Sequence, residues 1–164
     1  MGVYSFIKEA GEKLFGIEKA EAEESHEISD DRLAKEHKED IRAAQSLKER
    51  ILEAGLAIKV LEVEIEGTAA ILTGTADTME TREKVILIAG NSEGIEKVDE
   101  NIKVENESKE AVFHTVERED TLGSIAKAHY GDKEKVNIIF EANKPMLKDP
   151  DKIYPGQVLR IPQQ

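Results

Sequence analysis

The side chains of this chain that could do chemistry are four histidines, seven serines and a dense population of carboxylates. His26, His37, His114 and His129 form no His-Glu-x-x-His or His-x-His pair, so they read as linker or edge histidines rather than ligands. No serine sits in a Gly-x-Ser-x-Gly elbow, and no Gly-x-x-x-x-Gly-Lys loop is present to cradle phosphate. Asp149 and Asp151 have the spacing of a calcium loop, but Pro150 and the missing glycine and terminal glutamate defeat it. The carboxylates are too numerous for any pair to stand out as acid and base. These patterns predict a protein that is not an enzyme.

A different chemistry is written in Gly90-Asn91-Ser92-Glu93-Gly94-Ile95. The last four carbonyls of a helix lack intrahelical partners, and the helix dipole makes that end negative. Two glycines allow left-handed turns that can aim further carbonyls inward. Neutral oxygens of this kind can replace the water shell of a large, weakly hydrated monovalent cation, whereas calcium or magnesium would call for carboxylates. The same residues also make an ordinary helix cap ahead of a strand, and on the residues alone that plainer reading stands.

The elements that must position this loop come from a chain of 164 residues with 23 Lys+Arg, 35 Asp+Glu, no Cys and a net charge of -12. The length allows one or two small domains, and 4% aromatic residues argue against one large core. A pI near 4.9 disfavours nucleic acid and anionic membranes as partners. The absence of Cys excludes disulfides, thiolate metal sites and a cysteine nucleophile. No apolar run approaches the roughly 18 residues of a spanning helix. The first ten residues lack a basic leader and an apolar h-region, so the expected location is the cytoplasm.

Residues 1–16 carry Val3, Phe6, Ile7, Ala10 and Leu14 at helical spacing, which predicts a short amphipathic helix docking on the rest. Residues 17–40 hold ten acidic against four basic residues and read as a solvated acidic linker with room for partial helix. Over 41–105 the pattern is αββαβ. Ile41, Ala44, Leu47, Ile51 and Leu52 mark a helix ending near Gly55, and Val60, Val63 and Ile65 mark a strand. Ala69, Ile71 and Thr73 make a second strand after the Glu66-Gly67-Thr68 turn. Asp77 with Glu80 reads as a capping box before a helix through Val85, Ile86, Ile88 and Ala89, and Val98, Ile102 and Val104 supply a last strand. A short linker, 106–111, leads to βααβ over 112–164. There Phe113, Thr115 and Val116 form a strand, and Asp120-Thr121 opens a helix that ends at Tyr130-Gly131. A second helix stops at Lys144-Pro145, Pro155-Gly156 makes a turn and Val158 to Ile161 closes the sheet. The fold class is α+β, with two small domains.

Ile71-Leu72-Thr73-Gly74, Gly90 to Ile95 and Val98-Asp99-Glu100-Asn101-Ile102 resemble a BON domain, implying a three-stranded sheet with two helices. His114-Thr115-Val116, Asp120-Thr121-Leu122, Tyr130-Gly131, Asn143-Lys144-Pro145 and Ile153-Tyr154-Pro155-Gly156-Gln157-Val158-Leu159-Arg160-Ile161-Pro162 resemble a LysM domain. Glu119 departs from that pattern, standing where the family usually has glycine. An opening helix, one BON and one LysM domain together resemble the Kbp family of bacterial cytoplasmic potassium-binding proteins. That resemblance implies a potassium ion held by main-chain carbonyls, which fall here on Ile7, Ala10, Gly90, Ser92 and Ile95. It implies a monomeric ion sensor whose domains close into a compact state on binding. The LysM resemblance implies as alternatives a protein partner or a glycan such as peptidoglycan, the latter gripped by Asp120, Thr121, Leu122, Asn143 and Ile153.

Overall fold

The computed structural model describes residues 1–6 and 30–164. The first domain contains β1 (Gly2–Ser5), α1 (Asp30–Glu53), β2 (Ile58–Glu66), β3 (Ala69–Thr78), α2 (Met79–Gly90) and β4 (Lys97–Asn106). Its sheet has the order β1-β4-β3-β2. β2 and β3 form an antiparallel hairpin, its turn carried by Gly67 at φ 60. β3 and β4 are parallel, which requires a crossover, and α2 supplies it.

The sheet is therefore four-stranded rather than three-stranded, because residues 2–5 pair with β4 instead of forming the start of a helix. The Val3–Asp99 and Tyr4–Val98 register closes an edge of β4 that would otherwise stay unpaired. A helix of one or two turns offers less, since its nucleation is unfavourable without a large docked face. The remainder of the expected helix, 7–16, lies outside the described residues.

α1 begins at Asp30, so 30–40 is helix rather than linker, while 17–29 lies outside the described residues. Acidic residues suit the first turns of a helix, and Arg32 pairs with Glu36 one turn on at 3.1 Å. Ala43, Ala44, Leu47 and Ile51 form the buried stripe. Ile41 and Leu52 are 53% and 51% exposed because they lie about 120–140° around the helix from Leu47. In β2 the expected inward Val60 is instead 81% exposed at φ 52, at an irregularity between Lys59 and Glu62. Leu61, Val63 and Ile65 point into the core, which restores the two-residue period.

β3 runs to Thr78, which caps α2 in place of Asp77: its side chain accepts from the Thr81 N–H at 3.2 Å. Asp77 accepts from the Thr81 hydroxyl at 2.7 Å. Val85 to Ala89 is apolar throughout and wholly buried, as expected of a helix packed on more than one side.

The second domain is β5 (Val112–Thr115), α3 (Leu122–Tyr130), a 3-10 turn Lys133–Lys135, α4 (Val136–Ala142) and β6 (Val158–Ile161), with β5 and β6 antiparallel. Thr121 and Ser124 cap α3 reciprocally, and Gly131 ends it at φ 73. Glu119, at the position where the LysM pattern has glycine, adopts φ 68, a conformation glycine takes without steric penalty. The two domains share one hydrophobic core, with α2 packed against β6.

Candidate functional site

The loop after α2 closes that helix with its own groups. The Asn91 N–H donates to the Leu87 carbonyl at 2.9 Å, and the Ser92 N–H donates to Ala89 at 3.1 Å. The Ser92 hydroxyl donates to Ile88 at 2.7 Å. The carbonyls of Leu87, Ile88 and Ala89 are thus capped, and Gly90, Ser92 and Ile95 follow them in the loop. The Ile95 N–H reaches the Ser92 carbonyl at 3.3 Å, which leaves that oxygen a second lone pair. Gly94 turns the chain at φ 81, and Asn91, Ser92 and Ile95 are buried.

Ile7 and Ala10 lie outside the described residues, but the residue just before them is held against the loop. The Phe6 N–H donates to the Glu96 carbonyl at 2.7 Å, and its buried ring lies on Gly90. A Cβ at Gly90 would come within 1.9 Å of Phe6 Cζ, so the close approach requires glycine.

A buried ion pair ties β1 to the same frame. Arg82 on α2 meets Glu100 on β4 at 2.5 Å and donates to the Tyr4 hydroxyl at 3.3 Å. The Tyr4 ring lies 5.5 Å from that of Phe113 in the second domain. Burial alone would raise the Glu100 carboxyl. The Arg82 hydrogen bond, the Ile102 N–H and the Arg82 charge outweigh it and hold the group below its ordinary 4.5.

Across the domain junction, Glu83 on α2 pairs with Arg160 on β6 at 2.6 Å, the side chains 4% and 9% exposed, and accepts from the Ala111 N–H at 2.7 Å. The Asn91 amide bonds the backbone of Val158 in both directions, at 2.9 and 2.8 Å. Sequence reasoning did not name Phe6 as an anchor of the loop, and it placed Asn91 in that loop without a role of its own. A buried asparagine beside a helix-ending glycine is a faint signal, and nothing local reveals its partner.

The residues expected to line a glycan groove are largely engaged within the fold. Asp120 accepts from the Glu117 N–H at 3.0 Å and from the Ser124 hydroxyl at 3.2 Å, Thr121 caps α3, and Leu122 is buried. The buried Asn143 amide donates to the Ile139 and Arg160 carbonyls and accepts from the Arg160 N–H, all within 2.8 Å. Ile153 packs against the core, partly buried. Asp120, Thr121 and Leu122 stand together at the start of α3, while Asn143 faces β6.

Two histidines read as edge residues form a chain. Asp120 lies 3.1 Å from His114 Nε2, and His114 Nδ1 lies 3.2 Å from His129 Nε2. Desolvation first, and the nearby His114 second, lower the His129 pKa from its ordinary 6.5. The unfolded chain then takes up the proton first, so stability is complete above about pH 6.5 and declines as pH falls below it. His129→Gln is expected to flatten that decline in urea-unfolding curves taken between about pH 8 and pH 5.

A groove of about 580 Å³ between α1 and β2 is lined by none of the candidate ion or glycan ligands. Among the described residues no group of three or more His, Cys, Asp or Glu could hold a metal ion. None of the described helices is long and apolar enough to cross a membrane.

Residues 39–106 match the BON domain model and residues 114–162 the LysM domain model. The chain is 40% identical over 166 aligned positions to a protein named potassium binding protein Kbp from Escherichia coli O6:H1, with all of both chains covered. It is also 30% identical over 118 positions to an uncharacterized protein of Deinococcus radiodurans, covering 65% of this chain and 46% of that one.

Proposed function

The chain belongs to the family of the Escherichia coli potassium binding protein Kbp, and from that premise we propose that it binds a potassium ion at the loop after α2. The ligands in this reading are the main-chain carbonyls of Ile7, Ala10, Gly90, Ser92 and Ile95. The observation that carries it is the seating of Phe6 on Gly90 with its N–H on Glu96, which holds the end of the first strand against the loop. Backbone coordination suits a large monovalent ion, and it accounts for a family site that needs no cluster of ionisable side chains. The acidic surface adds only screened, unselective attraction.

Binding would tie the first segment to the loop and favour the compact arrangement of both domains. The role that follows is potassium sensing in the cytoplasm by a monomer. Potassium chloride is expected to raise the melting temperature above that in sodium chloride of equal ionic strength. At a hundredfold excess over Kd the stabilisation is about 2.7 kcal/mol, or roughly 5–10 °C for a chain of this size. Equal melting in the two salts would overturn the proposal.

The LysM match leaves glycan binding as the second reading. The engagement of Asn143 and the burial of Leu122 disfavour it, because a sugar would have to displace groups that hold the domain together.

A further inference from the structure

β6 has two edges. One pairs with β5, and on the other the N–H and C=O of Val158 and Arg160 face two asparagine amides. Asn143, within the second domain, satisfies Arg160 in both directions. Asn91, from the first domain, does the same for Val158, acting as a one-residue substitute for a neighbouring strand. Val158 is buried, so without Asn91 its backbone would lose both partners away from water.

Asn91 also stands between Gly90 and Ser92. The Gly90 carbonyl and the Asn91 nitrogen and Cα share one rigid peptide plane, so whatever fixes that carbonyl fixes the position of the Asn91 Cα from which its side chain departs. Asn91 itself is 1% exposed, and its N–H is held by Leu87. Loop conformation and the seating of β6 thus meet in one residue.

We propose that Asn91 is the positioning residue through which ion occupancy of the loop and docking of the LysM domain stabilise each other. The inference rests on the potassium reading above. Its side chain supplies no ligand to the ion. By linkage, whatever factor potassium contributes to docking, docking returns to potassium affinity.

Amide hydrogen exchange on the full chain tests this directly, in potassium chloride and in choline chloride. The Val158 amide, bonded to Asn91, is expected to exchange about tenfold more slowly with potassium. The Arg160 amide, bonded to Asn143 in its own domain, is expected to stay unchanged. Asn91→Ala is expected to weaken potassium binding at least about fivefold in a calorimetric titration and to remove the potassium response at Val158. Asn91→Asp is expected to weaken it too, since a carboxylate accepts from the Val158 N–H but cannot donate to its carbonyl. Protection at Leu72, in the first domain's core, distinguishes undocking from unfolding in each variant.

A wild-type chain with no potassium-selective response would overturn the ion reading and this inference with it. A responsive wild type whose Asn91→Ala variant keeps full affinity would overturn the coupling alone. So would a Val158 amide indifferent to potassium, or an Asn91→Asp variant that binds more tightly, which would mark local charge as the operative effect.

Discussion

Gly90→Ala is expected to destabilise the protein by about 3 kcal/mol and to abolish the extra melting stability in potassium chloride. Elsewhere in a helix this substitution stabilises by about 0.5–1 kcal/mol, so the sign itself is diagnostic. The added methyl would come within 1.9 to 2.2 Å of three Phe6 ring atoms, and the ring must leave its buried seat. With it goes the anchor that holds the end of β1 against the loop. Phe6→Ala alone forfeits the same burial, on the order of 3–5 kcal/mol. In the double variant the clash disappears, so the two losses should sum to less than their separate values. Urea unfolding of the four chains measures this coupling. A Gly90→Ala protein with wild-type stability and potassium response would rule out the proposed seating.

Glu100→Ala is expected to lower stability by about 3–5 kcal/mol, a loss that urea unfolding at neutral pH would measure. The carboxylate is fully buried and satisfies both Arg82 and the Ile102 N–H. Removing it leaves a guanidinium in the interior with a Tyr4 hydroxyl and an exposed Glu110 as its remaining oxygens. The double replacement Arg82→Met, Glu100→Met removes both charges and is expected to be much less damaging than Glu100→Ala. The lowered pKa of Glu100 also predicts an acid limit. The stability it supplies is complete above about pH 4.5, and is lost as pH falls through the still lower folded value. Glu100→Gln should remove that acid-range slope, and a slope that persists would assign it to other carboxylates.

Much of the frame was legible because its signals are local. Gly67, Gly131 and Gly156 each adopt the positive φ that their turn or cap requires. Thr121 caps α3 at the predicted place, and the uniformly apolar 85–89 run is buried all round. The misreadings arose where local preference competed with a distant partner. Val3 and Phe6 fit a helical stripe, yet β4 offers a strand edge that residues 2–5 complete. Val60, Val63 and Ile65 suggested one face, but an irregularity turned Val60 outward and brought in Leu61. The acidic run ending at Asp40 read as a solvated linker with room for partial helix, and its final turns extend a helix whose stripe, from Ala43 onward, docks on the core.

The sequence by itself determined the two-domain α+β plan, the order of elements from α1 onward and the backbone loop after the second helix, because capping, turn chemistry and hydrophobic period act over a few residues. It could name Gly90, Ser92 and Ile95 without saying what rests on them. Tertiary structure decided the fourth strand, the Phe6 ring on Gly90, the buried Arg82–Glu100 and Glu83–Arg160 pairs and the Asn91–Val158 amide pairing. Asn91 and Val158 are 67 positions apart, and Glu83 and Arg160 are 77 apart. No local preference spans such a distance, so contacts of this kind exist only once a shared core has brought their elements to within hydrogen-bonding reach.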